Sequence, residues 1–225
     1  MRDVYVVGAG MTRFGKYLDR NMKSLAEEAS MQALEHAGVQ KEDLQAAWGG
    51  NSVQGLVTGQ ESIRGQVVLR SMGIGAIPVM NVENACASAS SAFYGAWMGI
   101  ACGVYDVALA LGMEKLVMED KKKSFQVFWA ATDVEMMEAF KAMMNEEEKK
   151  KQDMGAKSAG EGSAGKSRSA FMDIYSLGAR NHMKRYGTTQ RQLAVISAKN
   201  HFHSSLNPFA QYQVDMSVEE VLAAP

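Results

Sequence analysis

The sequence predicts an α/β protein whose sheet is mostly parallel and covered by helices. Short β-type runs alternate with helical patterns along the first half of the chain, which is typical of repeated β-α-β units. Glycines follow several of these patterns, at positions where helices commonly end. With 225 residues, 47% of them hydrophobic, the chain is long enough to bury a sizeable core.

The elements follow one another as expected for such a fold. The predicted order is a strand at Asp3–Gly8, a helix that starts at a capping box of Ser24 and Glu27 and ends at Gly38, a strand at 46–53, a helix at 62–72, a strand at 78–82, a helix at 88–101 and a strand at 105–112. A helix at 171–186 comes later, and Thr189 with Gln192 forms a capping box that starts another towards His201. Between the two groups, residues 113–170 are rich in methionine, charge and Gly/Ser/Lys, which indicates an inserted loop domain.

Composition excludes several classes of protein. With 24 Lys and Arg against 25 Asp and Glu, the net charge of −1 does not suit a nucleic-acid binder. No apolar run approaches the roughly 20 residues that span a membrane. Two cysteines make neither a disulfide framework nor a four-ligand zinc site, so no metal is expected. Because the chain opens directly on Val4–Val7 without a charged leader, a cytoplasmic protein is expected.

Cys86 is the best candidate for chemistry. It stands where a strand turns into a helix that opens with the small residues of Ser88–Ser91. Free amides and the dipole at a helix start stabilise a thiolate and can hold an oxyanion during acyl transfer. A buried structural cysteine is the alternative, but the strand-turn-helix placement favours a nucleophile. Cys102, inside the same predicted helix, is expected to fill the core.

A second motif is interpreted as accidental. Residues 160–167 match the phosphate-binding pattern G-x-x-x-x-G-K-S, yet no buried strand precedes them to fix the loop amides. A flexible, weakly basic loop is therefore favoured over a nucleotide site.

Three stretches together resemble a known family. They are Asn81–Ser90 around Cys86, Gly112–Lys115, and Asn200–Gln211. They are similar to the thiolase superfamily and, within it, to sterol-carrier-protein-X-like thiolases of the acetyl-CoA acetyltransferase type. The resemblance covers nearly the whole chain and implies that residues 1–225 form the N-terminal half of a thiolase-like fold.

The resemblance also implies roles for individual residues. Cys86 would be the acyl-accepting nucleophile, and its amide would contribute to an oxyanion hole. Residues 113–170 would cover coenzyme A, which acts as co-substrate, and no covalently bound cofactor is implied. The residues implied to contact coenzyme A or substrate are Phe171, Met172, Lys157, Lys166 and Arg168.

The implied activity is that of an acyl-CoA acyltransferase that cleaves a 3-oxoacyl-CoA. The Met- and Phe-rich segment 113–170 favours a bulky or aromatic substrate such as benzoylsuccinyl-CoA. The family's activating histidine and second cysteine lie in a C-terminal half that this chain does not match. The implied partners are therefore that half, a second copy in a homodimer and a small zinc-ribbon/OB-fold subunit. A retro-aldol hydroxyacyl-CoA lyase of the same fold and a non-catalytic acyl-CoA-binding subunit are the alternatives.

Overall fold

The computed structural model describes residues 1–120, 124, 127–136, 139, 142–143, 146 and 170–224. The chain divides into two compact units, Met1–Val134 and Glu135–Pro225, called here the first and second unit. The first unit contains a sheet with helices, and the predicted α/β class is confirmed.

Helices and strands alternate along the first unit. Its elements are α1 (Met22–Ala37), β1 (Ala46–Gly50), α2 (Gln54–Thr58), α3 (Arg64–Ser71), β2 (Val79–Val82), α4 (Ser88–Ala101) and β3 (Ala108–Gly112). The described part of the second unit contains α5 (Ala170–Tyr186), α6 (Gln190–Ser205) and α7 (Val218–Ala223). Most bounds lie within a few residues of the predicted ones, whereas the short helices α2 and α7 were not predicted.

The three strands form a parallel sheet in the order β2-β1-β3. Gly50 at the end of β1 is in register with Val82 of β2 and with Gly112 of β3. The carboxyl ends of all three strands therefore meet at one edge of the sheet, and the prediction of parallel strands is confirmed.

Helices cover both faces of this sheet. Successive strand residues point to opposite faces, and Gly49 and Gly50 show which helix lies on each. A Cβ built on Gly49 would lie 3.2 Å from the Cα of Gly65 in α3, whereas one on Gly50 would lie 2.5 Å from the carbonyl oxygen of Ser88 in α4. The main core lies on the α3 side, where α1 also packs, and includes Leu34, Ala47, Val68, Leu69, Leu109 and Leu111.

The predicted strand at Asp3–Gly8 is wrong, because these residues form no strand. Side chains of α1 bind the amides that follow: Ala9 donates to Nδ1 of His36 at 3.3 Å, and Met11 to Oε1 of Gln32 at 3.2 Å. At the other end, Arg2 donates to the carbonyl of Ile100 at 2.6 Å. The amide of Arg2 also donates to the carbonyl of Ala101 at 3.0 Å. The segment is thus held at its two ends by these hydrogen bonds and not by pairing with a strand.

The start of α1 also differs from the prediction. Its N-cap is Asn21, whose Oδ1 accepts from the amide of Ser24 at 2.9 Å, so Ser24 lies within the first turn. Asparagine is at least as good an N-cap as serine, and it stands one turn earlier in the chain. The left-handed cap at Gly38 is confirmed, with φ +65°, and so is the capping box of Thr189 and Gln192.

Much of the predicted loop domain at 113–170 lies outside the described residues, including the G-x-x-x-x-G-K-S match at 160–167. Its described part contains a short 3-10 helix, Val127–Ala131, in which Val127 is buried. In the described ranges of the whole chain, no helix combines the length and apolar character needed to cross a membrane.

Candidate active site

Cys86 lies between β2 and α4, as the sequence predicts. It is the middle residue of a 3-10 turn, Ala85–Ala87, and α4 begins directly after that turn. Its thiol is free and exposed. The turn carries the cysteine to the edge of the sheet where the three parallel strands end.

Hydrogen bonds inside the turn fix its backbone. The amide of Asn84 donates to Oγ of Ser88 at 2.9 Å, and the same hydroxyl donates to the carbonyl of Ala85 at 2.8 Å. The side-chain amide of Asn84 donates to Oγ of Ser91 at 2.9 Å, and the Ala87 amide donates to the Asn84 carbonyl at 2.8 Å. Among the described residues, no acceptor pairs with the amide of Cys86. That N–H is therefore available to a ligand, as an oxyanion donor must be.

Glycines allow the start of α4 to lie directly on the strand ends. A Cβ on Gly50 would come within 2.5 Å of the Ser88 carbonyl oxygen, and one on Gly112 within 2.5 Å of the Cβ of Ala89. Further along the helix, a Cβ on Gly95 would lie 2.5 Å from Nε1 of Trp48. The small residues of α4 thus serve helix-to-sheet packing, in addition to any role in admitting a substrate.

A polar network joins the loops that follow the strands. Glu114, after β3, accepts from the amide of Ser52 at 2.8 Å and from that of Val53 at 3.2 Å. The side chain of Asn51, after β1, donates to the Met113 carbonyl at 2.8 Å and to Glu114 at 3.2 Å. Sequence reasoning assigned no role to Asn51 or Glu114. Asn51 lies near the end of the predicted strand 46–53 and Glu114 just after the predicted strand 105–112, and polar residues at the carboxyl ends of parallel strands were the signal that could have revealed them.

Arg64 and Lys115 complete this network. Nη1 of Arg64 donates to Oδ1 of Asn51 at 2.9 Å and to the Ser52 carbonyl at 3.0 Å. Nζ of Lys115 donates to the carbonyls of Tyr17 and Arg20. Arg64 therefore binds the loop after β1, and Lys115 ties the residues after β3 to the segment that precedes α1.

Cys86 lines a cleft of about 1120 Å³ within the first unit. The walls are mostly apolar and include Phe93 and Trp97 of α4, Leu25 of α1 and Leu109 of β3. Phe93 is 52% exposed and Trp97 36%. None of the described residues that line the cleft is a histidine.

No contact among the described residues joins the other predicted site residues to Cys86. Met172 lies in α5 of the second unit with its side chain exposed, and Phe171 belongs to the same helix. The predicted phosphate contacts Lys157, Lys166 and Arg168 lie outside the described residues.

The prediction that Cys102 fills the core is wrong. Cys102 is the C-cap residue of α4, and its thiol is exposed. The helix ends at Ala101, and Gly103, at φ +77°, turns the chain away before it reaches β3. In the described part of the chain, no group of three or more His, Cys, Asp or Glu residues could hold a metal ion.

Comparison with known proteins identifies the family to which this chain belongs. Residues 4–218 match the family described as "Thiolase, N-terminal domain". An acetyl-CoA acetyltransferase of Methanothermobacter thermautotrophicus is 34% identical over 222 residues, which are 99% of this chain and 50% of that protein. The benzoylsuccinyl-CoA thiolase subunit BbsB of Thauera aromatica is 29% identical over 223 residues, 98% of this chain and 48% of that protein.

A solved structure, "Ltp2-ChsH2(DUF35) aldolase", has the same fold, with a TM-score of 0.58 at 19% identity over 97% of this chain and 48% of that one. The chain thus spans about half the length of these relatives. The resemblance seen in the sequence motifs is confirmed: the chain belongs to the thiolase N-terminal domain family.

Proposed function

We propose that this chain is the nucleophile-bearing half of a coenzyme A-dependent thiolase. The observation that supports the proposal is the exposed thiol of Cys86, in the turn before α4, in a chain of the thiolase N-terminal domain family. The names of the relatives, an acetyl-CoA acetyltransferase and a subunit of benzoylsuccinyl-CoA thiolase, support the same chemistry.

In the proposed reaction, the thiolate of Cys86 attacks the keto carbon of a 3-oxoacyl-CoA and forms a thioester. The bond from that carbon to the α-carbon breaks, and its electron pair remains on the shorter acyl-CoA as a carbanion, which an acid protonates. The thiolate of free coenzyme A then attacks the acyl-cysteine, which releases the second acyl-CoA and regenerates Cys86. The free amide of Cys86 stabilises the negative charge that develops on the attacked carbonyl oxygen.

The residues that would bind coenzyme A remain predictions. Residues 113–170 would cover it, Lys157, Lys166 and Arg168 would bind its phosphates, and Phe171 and Met172 would line its tunnel. A bulky or aromatic acyl group, such as that of benzoylsuccinyl-CoA, suits the Met- and Phe-rich composition of that segment.

The acid would come from outside this chain. The described lining of the Cys86 cleft contains no histidine, and carbon–carbon cleavage needs a positioned acid to protonate the carbanion. We therefore propose that the C-terminal thiolase half supplies it, in a cytoplasmic assembly that also includes a second copy and a small zinc-ribbon/OB-fold subunit.

Acyl trapping tests the proposal. After incubation with acetyl-CoA, mass spectrometry of the intact chain and its peptides should find one acetyl group, on Cys86. The Cys86→Ser variant should carry none, and Cys102→Ser, which removes the other exposed thiol, should be acetylated like the wild type. No adduct on Cys86 in the presence of the C-terminal half, with cleavage of a 3-hydroxyacyl-CoA instead, would establish the retro-aldol alternative.

Turnover gives a second test. The chain alone should not cleave a 3-oxoacyl-CoA, and addition of the C-terminal half should restore cleavage. If the full assembly binds CoA esters without turnover, the chain is an acyl-CoA-binding subunit. Unaided cleavage by a monomer of this chain would refute the division into two halves.

A further inference from the structure

The residue before the candidate nucleophile has an unfavourable backbone conformation. Ala85 has a φ of +45°, in the left-handed region that favours glycine and disfavours any residue with a Cβ. Such a conformation persists only where surrounding contacts determine it. Two contacts fix it: the Ala85 carbonyl accepts from Oγ of Ser88 at 2.8 Å, and the Ala85 amide donates to Oε1 of Glu83 at 2.6 Å.

Glu83 is itself held by the neighbouring strand loop. Oγ of Ser52 donates to Oε1 of Glu83 at 3.4 Å, while the amide of Ser52 donates to Glu114 at 2.8 Å and its carbonyl accepts from Arg64 at 3.0 Å. Ser52 thus links a carboxylate after β2 to a carboxylate after β3. Through this chain of contacts, the conformation of Ala85 is tied to all three strand ends.

We propose that Glu83 is a positioning residue for Cys86. Its carboxylate holds the amide of Ala85 and so keeps the next residue, Cys86, with its thiol exposed at the start of α4. It acts through the backbone and contacts neither the thiol nor a substrate in this proposal. The inference rests on the proposed function for the meaning of Cys86, but the geometry that it explains can be measured without any acyl-CoA.

The experiment compares alkylation of Cys86 and Cys102 by iodoacetamide in the same 225-residue chain, followed by peptide mapping. Glu83→Ala should slow alkylation of Cys86 roughly five-fold, because a charge-assisted hydrogen bond that fixes the turn is lost. The rate at Cys102, at the other end of α4, should not change. Glu42→Ala, the same substitution in the exposed 3-10 helix Lys41–Asp43 before β1, is the matched control and should alter neither rate.

Two further variants separate positioning from a general structural effect. Glu83→Gln keeps an oxygen that can accept from the Ala85 amide, and it should restore the Cys86 rate to within about two-fold of wild type. Adding Ala85→Gly to Glu83→Ala should also restore most of the rate, because glycine adopts a positive φ without the carboxylate. If Glu83→Ala does not fold, Ser52→Ala replaces it: loss of the hydroxyl should slow Cys86 alone, by a smaller factor.

An unchanged Cys86 rate in Glu83→Ala would overturn the proposal, and so would an equal loss at Cys102 or the failure of both rescue variants. When Ser52→Ala is the test, an unchanged Cys86 rate has the same meaning. Acetylation by acetyl-CoA is measured separately on the wild type. If Cys86 is not acetylated but Glu83→Ala slows its alkylation, the proposed function fails and the positioning role stands. If Cys86 is acetylated but Glu83→Ala leaves its alkylation unchanged, the positioning role fails and the proposed function stands.

Discussion

Replacing Gly50 with alanine should displace the turn that carries Cys86. The new Cβ would lie 2.5 Å from the carbonyl oxygen of Ser88, 2.7 Å from its carbonyl carbon and 2.8 Å from the amide nitrogen of Ala89. All three are backbone atoms at the start of α4, so no side chain can rotate to make room. A Cβ contact must reach at least 3.0 Å, and the start of the helix must therefore move by 0.5 Å or more.

This displacement should lower both stability and reactivity. Overpacking of this kind typically costs about 1–3 kcal/mol of the free energy of unfolding. Since a 1 Å misplacement of reacting groups can cost roughly 100-fold in rate, we expect acetylation of Cys86 to slow by roughly ten-fold.

Gly75→Ala is the matched control, because nothing lies within 4 Å of a Cβ at Gly75 and its φ is not in the left-handed region. Urea denaturation gives the free energy of unfolding of each variant, and intact-mass kinetics give the acetylation rate. Gly75→Ala should match the wild type in both or be slightly more stable. Equal stability and equal acetylation in Gly50→Ala and Gly75→Ala would show that the approach of α4 to the sheet does not position Cys86.

Three other predictions follow from the same structure. Iodoacetamide should modify Cys86 several-fold faster than Cys102, because only Cys86 lies at the start of α4 and lines the cleft; equal labelling would contradict this. Lys166→Ala should leave ATP binding undetectable, as in the parent chain, by calorimetry, and micromolar binding lost on substitution would show a true phosphate loop. Backbone hydrogen bonding and Arg191, 3.0 Å away, lower the pKa of Glu219 from its usual 4.5. The stability that this carboxylate gives α7 is therefore present above pH 4.5 and lost as the pH falls through the lowered value. The amide and hydroxyl of Ser217 also lower the pKa of Glu220 in the same helix, so the protection of α7 amides from exchange should fall there in the wild type and fall less in Glu219→Gln.

The fold could be predicted where the signal is local. The cap at Gly38 and the capping box of Thr189 and Gln192 depend on residues within one turn, and both are confirmed. The strand predicted at Asp3–Gly8 depends instead on a pairing partner far along the chain. Its apolar pattern fits a strand, but the amide of Ala9 bonds to His36, 27 residues away, which no local pattern indicates.

The candidate site also has a part that a local sequence signal predicts and a part that depends on long-range contacts. The position of Cys86 could be predicted because a strand, a turn and a small-residue helix adjoin it in sequence, whereas its role as nucleophile stays a prediction. Ser52 and Glu83 are 31 residues apart, and Ser52 and Glu114 are 62 apart, so their contacts exist only once the three strands are in register. The sequence predicted that the strands are parallel, but it did not predict which side chains bind one another at their carboxyl ends.

The carboxylates of Glu83 and Glu114, at the sheet edge that carries Cys86, act as hydrogen-bond acceptors in this structure. Glu83 accepts from the Ala85 amide, and both oxygens of Glu114 accept N–H groups from Asn51, Ser52 and Val53. A carboxylate that binds amides in this way holds the loops as an acceptor, and giving a proton to a carbanion would require it to be protonated beforehand, with those bonds weakened. In the first unit, the Nδ1 atom of His36 lies 3.3 Å from the Ala9 amide nitrogen and 3.4 Å from the Ala9 carbonyl oxygen, and His36 does not line the Cys86 cleft. Within the described lining of the Cys86 cleft, Glu114 therefore already serves as an acceptor, and no histidine is present. Both observations support the proposal that the C-terminal half supplies the proton for carbon–carbon cleavage.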